Sequence, residues 1–530
     1  MTDPTPDPPA ATAPRSSLRR RWLKGCGCGC GGLVGVMLLL LWTLFAFLDR
    51  VPTSYPPAPH PIGPPTPVEI AAYELDGFES PYLGHTGSWD GQGGAMFGGS
   101  KVADLDAEVG MGLRWTFMPV YWSALEPDGP VSFAQGVPPA WEELDGFVAS
   151  AQVRKLNVLM QVVIGGNAGG PPRWAGVREI GKSAPFDMEA AAAFAGKLAE
   201  RYKPGGTLAR ARGWGRAYGV RAWELDNEPN AYRTHWDGQA GDYAEFVTRA
   251  AARIRPEDPR ALILLPATTG GGDATPWIVA ALDAEGLHGS PAYRKQGKGY
   301  SIGPVTDGIS FHGYEGADSA FAGTPRTIER VFSEIGDAFI AWDRKHPEAH
   351  ARARREFWHT EGNFDFIGAL STTRRAAWRW QFFTRGFAAG IRKLCVMDAS
   401  KPERAAVKAY VAALPRPFPM KPADAEVKVT HGKVTAFRHP DGAGPAAGQV
   451  WVVWAVAGTG DAQVEIPVSD AVGSHVTLVD VDGTKTERPA PGGRVVVDLK
   501  GDRKMAPPVL VIDRPSLASD PSTPRGAPGR

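Results

Sequence analysis

The sequence predicts a (β/α)8 TIM barrel followed by a small C-terminal β-sandwich, with one transmembrane helix ahead of both. Three observations predict this arrangement. Between residues 69 and 415, strand-like apolar runs alternate with amphipathic runs of helical spacing; after residue 415 the apolar period changes to two; and residues 25–48 carry no charged side chain. Alternating strands and helices indicate a parallel sheet, and short alternating strands indicate a sandwich. A length of 530 residues is enough for at least two folded units.

The N-terminal region is expected to anchor the chain in a lipid bilayer. Residues 1–24 are rich in Pro and Ala, end in a basic cluster and predict a disordered cytoplasmic tail. As a helix, residues 25–48 would be about 36 Å long, which is enough to cross a hydrocarbon core of about 30 Å. The basic residues before this segment favour a single-pass protein of the cell membrane with its N-terminus in the cytoplasm. The alternative is a cleaved signal peptide, which the lack of a small-x-small site after Leu48 disfavours.

The predicted barrel occupies residues 69–415 and follows a proline-rich linker over residues 49–68, which favours a semi-rigid extended spacer. Amphipathic runs of helical spacing lie at Asp187–Tyr202, Tyr243–Ile254 and Thr327–Trp342. The predicted strands are Ala95–Phe97, Leu113–Pro119, Val158–Ile164, Ala222–Asp226, Ala261–Pro266, Gly308–His312, Glu356–Thr360 and Lys393–Asp398.

The predicted β-sandwich occupies residues 416–513. Turn signals such as Asp482-Gly483 separate its short strands, and the tail over residues 514–530 is rich in Pro, Ser and Gly and predicts a loose end. The predicted strands are Val427–Val429, Val434–Phe437, Val450–Val456, Val464–Ile466, Val476–Val479, Val495–Val497 and Val509–Ile512.

Composition excludes some classes of function. With 58 basic and 57 acidic residues, the net charge of +1 argues against nucleic acid as a partner. Cys26, Cys28 and Cys30 lack the spacing of a zinc site, and no other cluster has ligand spacing, so neither a metal nor an organic cofactor is expected. The chain has 17 Trp, whose flat faces suit sugar rings but equally suit a core.

Two predicted strands end on a glutamate. The run Ala222–Leu225 leads into Asn227-Glu228-Pro229, and Phe357–Thr360 leads into Glu361. In a barrel of this kind the carboxyl ends of the strands face the active site, and these strands are fourth and seventh, so the two side chains can converge. Retaining cleavage of a glycosidic bond uses two carboxyl groups about 5–5.5 Å apart. Glu228 and Glu361 are therefore the predicted catalytic pair.

The neighbours of the two glutamates predict their roles. Apolar Trp223, Leu225 and Pro229 around Glu228 would raise its pKa, as an acid/base requires. Glu361 is the predicted nucleophile, held ionised by Arg114 on the second strand. Glu315 and Glu356 are the rival positions for the nucleophile.

Further candidates lie at or just after other strand ends. Asn227 is expected to hydrogen-bond a sugar hydroxyl or the intermediate, His312 to line the site, and Tyr314 to orient Glu361. The candidate sugar platforms, which follow strands two, three and four, are Trp122, Trp174 and Trp236.

The pattern of Asn227-Glu228-Pro229 and a later strand-end Glu361, with His312-x-Tyr314 between them and Arg114 before them, resembles the clan A glycoside hydrolases. The barrel, the trailing sandwich and the spelling Trp-Glu-x-x-Asn-Glu-Pro-Asn are most similar to family 39, and the layout is similar to its membrane-anchored bacterial exopolysaccharide hydrolases. This resemblance covers residues 69–513 and implies an acid/base at Glu228 and a nucleophile at Glu361. Asp226 and the lack of Trp on the eighth strand depart from the family pattern.

The sequence thus predicts a membrane-anchored retaining glycosidase that acts on an envelope or extracellular polysaccharide. Two alternatives keep the same barrel. One is a catalytically inactive carbohydrate-binding protein, which the presence of both carboxylates disfavours. The other is a transglycosylase, which would share the covalent intermediate and pass the sugar to another sugar.

Overall fold

The computed structural model describes most of the chain between residues 81 and 513, together with a short N-terminal segment. The described ranges are 32–44, 81–86, 102–165, 171–176, 187–215, 218–230, 239–269, 274–283, 299–316, 327–347, 355–362, 364–365, 370–397, 400–417, 420–441, 448–469 and 475–513.

Residues 32–44 form a helix whose side chains are exposed, and they belong to a separate compact unit, Met1–Val51. Within the described ranges, no helix has the length and apolar content needed to cross a membrane. The remainder of the predicted span, 25–31 and 45–48, lies outside the described residues, so the anchor stays a prediction.

Eight parallel strands form the central sheet of the second unit. Their hydrogen-bonded order is β1-β8-β7-β6-β5-β4-β3-β2. The two outermost strands approach each other closely, since a Cβ placed on Gly84 of β1 would lie 2.0 Å from the carbonyl oxygen of Trp115 in β2. The sheet is therefore a nearly closed barrel. Its strands are β1 (Tyr82–Thr86), β2 (Trp115–Tyr121), β3 (Asn157–Val163), β4 (Ala222–Leu225), β5 (Leu262–Thr269), β6 (Gly308–His312), β7 (Glu356–Glu361) and β8 (Lys393–Met397).

Each strand is followed by at least one helix, which gives the predicted (β/α)8 alternation. The helices are α1 (Leu105–Gly110), α2 (Trp122–Leu125), α3 (Pro139–Val153), α4 (Met188–Tyr202), α5 (Thr207–Ala211), α6 (Ala240–Glu257), α7 (Ala274–Leu282), α8 (Ile328–Lys345), α9 (Thr372–Ala389) and α10 (Lys401–Ala413). Short 3-10 turns lie at Val102–Asp104, Phe133–Gln135, Arg173–Ala175, Asp424–Glu426 and Pro491–Gly493, and Glu315–Gly316 pairs in parallel with Phe364–Asp365.

Seven of the eight predicted barrel strands match the structure within a few residues. The first was wrong: the position belongs to Tyr82–Thr86, and Ala95–Phe97 lies outside the described residues. The reason is local, because Gly84 interrupts the apolar pattern of β1 where this strand approaches β2. A strand whose middle residue must have no side chain carries a weak periodic signal.

The barrel interior has an apolar lower half and a polar upper half. The apolar cluster contains Leu83, Trp115, Phe117, Leu159, Ala222, Leu262, Leu264, Trp358 and Cys395. Two residues further along β3 and β4, the inward positions hold Gln161 and Glu224, and on β6 they hold Ser310 and His312, all buried. Inward residues of parallel strands stack in layers, so the polar layer lies at the carboxyl ends of the strands.

The described residues of the C-terminal region form nine strands in two antiparallel sheets. A six-stranded sheet has the order β9-β11-β12-β17-β14-β15, and a three-stranded sheet has the order β10-β13-β16. The strands are β9 (Lys421–Pro422), β10 (Lys428–His431), β11 (Val434–Asp441), β12 (Gly448–Ala455), β13 (Ala462–Pro467), β14 (His475–Val479), β15 (Lys485–Pro489), β16 (Arg494–Leu499) and β17 (Val509–Asp513).

The two sheets share one core, as a sandwich requires, and the six-stranded sheet also packs against the barrel. Trp451 and Val453 join the inter-sheet core, whereas Val452, Trp454 and Leu510 belong to the core that the barrel helices form. Two strands, β9 and β15, were not predicted. All of their residues are exposed, so they carry no apolar alternation.

Candidate active site

A distorted turn carries Glu228 out of strand β4. The strand ends at Leu225, and Asp226 and Glu228 then adopt positive φ values of 78° and 43°. Such values are unusual for residues with a Cβ and mark local strain, which is often found at functional sites. Oδ1 of Asp226 accepts a hydrogen bond from the backbone N–H of Asn227, and the backbone N–H of Asp226 donates to the carbonyl of Val162, which ties this turn to the end of β3.

A β-bulge directs Glu361 towards the barrel mouth. On β7, Trp358 faces the barrel interior, whereas Phe357 and His359 face the helices. Regular alternation would send Glu361 outwards as well. In the register between β6 and β7, however, Phe311 pairs with His359 and His312 pairs with Glu361, so Thr360 is an extra residue. Bulges of this kind re-aim a side chain.

The two glutamates meet around His312. Nδ1 of His312 lies 2.6 Å from Oε1 of Glu228, and its Nε2 lies 3.6 Å from Oε2 of Glu361. One ligand atom from each of the three side chains lies within 4.8 Å of the other two. The structure thus brings together the two carboxylates that the strand ends predicted, with an imidazole between them.

His312 carries a positive charge at neutral pH. Complete burial opposes this charge, but the carboxylates of Glu361 and Glu228 outweigh it and raise the pKa of His312 to about 9. The neighbouring His359 is neutral, because burial and the charge of His312 lower its pKa to about 3. The imidazolium of His312 therefore donates a charge-assisted hydrogen bond to Glu228.

Tyr314 lies directly after β6 and donates a hydrogen bond to Oε1 of Glu361. Its hydroxyl is also 3.6 Å from Sδ of Met397, at the end of β8. A polarisable thioether therefore lies beside the Tyr314–Glu361 contact.

Asn227 is held by a residue that the sequence analysis did not identify. Gln161 donates from Nε2 to Oδ1 of Asn227 at 3.0 Å and to Oε1 of Glu224 at 2.6 Å. Burial raises the pKa of Glu224 to about 7, although the charge of His312 opposes this rise. Burial likewise raises the pKa of Asp226 to about 7 against its backbone hydrogen bonds.

Tyr121 is a second residue that the sequence analysis missed. It ends β2 on the inward-facing side of the strand, and its side chain is partly exposed. Burial and the charges of Glu361 and Asp226 raise its pKa, so the hydroxyl stays protonated near both carboxylates. The available signal was an aromatic residue at the end of a predicted strand region, directly before Trp122.

Arg114 does not reach Glu361. It precedes β2 at the amino end of the strand, where it donates from Nη1 to the carbonyl of Leu113. The seven residues of β2 place the barrel mouth roughly 23 Å away. The predicted ion pair is therefore wrong: Arg114 lies at the amino end of β2, and its side chain cannot span the length of the strand to reach Glu361.

Of the candidate platforms that lie in the described residues, only Trp174 has a side chain that is partly exposed to solvent. Trp122 is fully buried, where it packs against Trp174 and Phe194 and donates to Glu126, so its predicted role as a platform is wrong. Trp174 is partly exposed, and its ring is fixed by a 2.7 Å hydrogen bond to the carbonyl of Glu126. Trp236 lies outside the described residues.

The rival carboxylates have structural partners. Glu315 is buried and forms an ion pair with Arg385. Glu356 is at the amino end of β7 and lies 3.7 Å from Arg392. Two of the apolar neighbours expected around Glu228, Trp223 and Leu225, join the outer core instead, and the imidazolium of His312 lies against its carboxylate.

Glu228, His312 and Glu361 are the one set of three side chains in the described ranges whose donor atoms are grouped closely enough to bind a metal ion. The 2.6 Å contact between Nδ1 of His312 and Glu228 is a hydrogen bond, and a proton occupies it at neutral pH. A metal ion would have to displace that proton. The group is therefore better suited to proton transfer.

Comparison with known proteins supports the fold. No protein-family model and no curated protein matches the chain. A glucosidase from Croceicoccus marinus is similar with a TM-score of 0.51 at 13% identity, over 83% of this chain and 96% of the glucosidase. CelM2, a bifunctional glucanase-xylanase from a metagenome library, gives a TM-score of 0.50 at 13% identity, over 82% and 96% of the two chains. This likeness shows a shared fold, and family 39 stays a prediction.

Proposed function

We propose that the chain is a membrane-anchored retaining glycoside hydrolase that cleaves O-glycosidic bonds of an envelope or extracellular polysaccharide. The observation that carries this proposal is the approach of Glu228 and Glu361, whose nearest carboxylate oxygens lie within 4.8 Å of each other. Retaining enzymes hold their two carboxyl groups about 5–5.5 Å apart, whereas inverting enzymes need about 6.5–9.5 Å to admit a water. The short separation supports double displacement.

In the first step, the carboxylate of Glu361 attacks the anomeric carbon. The bond from that carbon to the glycosidic oxygen breaks, and Glu228 gives a proton to the leaving oxygen. In the second step, Glu228 accepts a proton from water, the resulting hydroxide bonds to the anomeric carbon, and Glu361 leaves as a carboxylate. The hydrogen bond from Tyr314 holds the carboxylate of Glu361 in one orientation, which suits a nucleophile.

Several other features support this reading. Two proteins that share the fold are described as a glucosidase and as a glucanase-xylanase. The partly exposed Trp174 offers an aromatic face to a sugar ring. The charge-free run over residues 25–48 and the proline-rich residues 49–68 favour a tethered enzyme, which suits a polymer at the cell envelope.

The test uses the fragment Pro52–Arg530, which is the second compact unit, and a panel of glycans and aryl glycosides. We expect hydrolysis by the wild type and loss of turnover in Glu361→Ala and Glu228→Ala. Azide should restore cleavage of an activated aryl glycoside by both variants. Glu361→Ala should give a glycosyl azide of inverted configuration, because azide then makes the only displacement, and Glu228→Ala should give one of retained configuration. Glu487→Ala on the exposed β15 is the control and should keep wild-type activity.

Other outcomes would replace the proposal. Binding of glycans without product from any of them would favour an inactive carbohydrate-binding barrel. Transfer of the sugar to acceptor sugars in preference to water would favour a transglycosylase. If Glu361→Ala and Glu228→Ala gave glycosyl azides of the same configuration, the assignment of Glu361 as nucleophile and Glu228 as acid/base would be wrong.

A further inference from the structure

We propose that Gln161 is a positioning residue which, held by Glu224, fixes the amide of Asn227 so that its NH2 group faces the substrate. This inference rests on the proposed glycosidase function and extends it to a residue that does not touch the sugar. It concerns the layer of polar side chains below the two glutamates, in the upper half of the barrel.

The contacts are short and buried. Nε2 of Gln161 lies 2.6 Å from Oε1 of Glu224 and 3.0 Å from Oδ1 of Asn227. Gln161 is 3% exposed and Glu224 is not exposed. Their Cα atoms are register partners on the neighbouring parallel strands β3 and β4, so both side chains project to the same face of the sheet, into the barrel. Both ends of this contact are therefore set by the rigid sheet.

The donors and acceptors of Glu224, Gln161 and Asn227 determine which atom of the Asn227 amide faces Gln161. A side-chain amide donates from its nitrogen and accepts at its oxygen. The carboxyl oxygen of Glu224 takes one hydrogen of the Gln161 NH2 group, and the second hydrogen of that group points to Asn227. Asn227 must then present its oxygen to Gln161, and its own NH2 group is turned away from the barrel floor.

Gln161 is the residue that controls this orientation. Within the described part of the chain, the side chain of Asn227 makes no other hydrogen bond, and it is only partly buried. An amide without a fixed neighbour can rotate by 180° and exchange its oxygen and nitrogen at little steric cost. The backbone of Asn227 is held separately, through its N–H to Asp226 at 2.9 Å.

The orientation matters because of the hydroxyl next to the anomeric carbon. When Glu361 attacks that carbon, this hydroxyl lies beside the Glu361 carboxylate, which only accepts hydrogen bonds. The single hydroxyl hydrogen is then used on Glu361, and the hydroxyl oxygen can only accept from Asn227. An Asn227 that presents its oxygen would leave two acceptors facing each other. Hydrogen bonds to this hydroxyl strengthen in the transition state, so the loss should fall on kcat.

The kinetic test compares the full chain with Gln161→Leu, which keeps the approximate size and removes the donors. The substrates are the p-nitrophenyl glycoside that the wild type cleaves best and its 2-deoxy counterpart. We expect kcat on the hydroxylated substrate to fall about 10-fold, with KM nearly unchanged, in keeping with one hydrogen bond. On the 2-deoxy substrate, Gln161→Leu should lower kcat only slightly. In an Asn227→Ala background, adding Gln161→Leu should likewise lower kcat little further. Equal losses on both substrates would mean a purely structural role and would overturn the proposal.

A second measurement does not depend on turnover. The chain contains five asparagines, so a sample labelled with 15N-asparagine gives few side-chain NH2 signals. We expect Gln161→Leu to shift the NH2 pair of Asn227 and to leave that of Asn230 in place. Unchanged Asn227 signals would overturn the positioning role. If the signals shift and no glycoside is cleaved by the wild type, the positioning role stands and the proposed hydrolase function fails.

Discussion

Nδ1 of His312 lies 2.6 Å from Oε1 of Glu228, and the ring that makes this contact is completely buried. A buried cation is costly unless it is paired, and here it is paired with the group to which we assign proton transfer. The charge of this ring therefore links the pH dependence of catalysis to the pH dependence of folding.

The first prediction concerns the alkaline limit of activity. Because the pKa of His312 is raised to about 9, the wild type should keep its imidazolium up to that pH and lose kcat/KM above it. His312→Gln should lower kcat/KM by about 10- to 100-fold, as expected for a hydrogen bond to a charged group, and should lack this alkaline limb. The measurement is kcat/KM from pH 5 to 10.5. An identical alkaline limb in His312→Gln would contradict the assignment.

The second prediction concerns stability. The pKa of His312 is raised in the folded chain from 6.5 to about 9, so the folded state binds this proton more tightly than the unfolded state. The added stability is fully present below pH 6.5 and is lost as pH rises through 9, with an upper limit of the order of 3 kcal/mol. Thermal unfolding from pH 6 to 9.5 should show a steeper loss in the wild type than in His312→Gln. Parallel curves would show that His312 is not protonated.

The third prediction concerns the nucleophile. Tyr314 donates to Oε1 of Glu361, and Tyr314→Phe removes only that hydroxyl. We expect kcat to fall by about 10- to 100-fold while the unfolding temperature changes little. Tyr300→Phe is the matched control, because the Tyr300 hydroxyl accepts from Arg249 at 3.3 Å, away from the barrel mouth. A comparable loss in both variants would argue against a specific role for Tyr314.

The fourth prediction separates buried from exposed ion pairs. Arg385 is 2% exposed and contacts both Glu315 and Glu329, so Arg385→Met leaves two buried carboxylates without their cation. We expect a loss of about 3–5 kcal/mol in the free energy of unfolding, measured with urea. The matched control is Arg330→Met, which removes an exposed pair with Glu334 and should cost under about 0.5 kcal/mol. Similar losses in the two variants would contradict this account.

The fifth prediction concerns the C-terminal sheets. Val452, Trp454 and Leu510 pack into the core of the barrel helices, and Arg374 of α9 forms an ion pair with Asp502. A fragment that ends at residue 415 should expose this apolar surface and aggregate in size-exclusion chromatography. A fragment that ends at Asp513 should stay monodisperse. A soluble and cooperatively unfolding barrel alone would show that the sheets form an independent module.

Sequence patterns located Glu228 and Glu361, the proposed catalytic pair, because each lies at the end of a short buried strand, and such a strand has a strong local signal. Strand β6 was predicted at its observed bounds for the same reason. The network below Asn227 was not predicted, since Gln161 and Glu224 are 63 residues apart and become neighbours only through the register of β3 and β4. The register between β3 and β4 cannot be predicted from the local sequence pattern of either strand.

The wrong prediction for Arg114 has a different origin. Its strand was recognised, and both the predicted and the observed bounds place Arg114 near the amino end. The prediction overestimated the reach of its side chain, because the barrel mouth lies the full length of the strand away. The burial of Trp122 likewise depends on Trp174 and Phe194, which approach it only in the folded chain. The N-terminal anchor and Trp236 stay predictions.

The direction of the Glu361 side chain depends on the β-bulge at Thr360, where β7 has one more residue than β6. We expect a variant without Thr360 to have a more regular ladder with Glu361 turned towards the helices, and therefore to fold but lose the proposed hydrolysis. Homologues should therefore be sorted by the length of this segment as well as by the presence of its acid. We expect homologues that lack one residue in this segment to lack the proposed hydrolysis, even where they keep the glutamate.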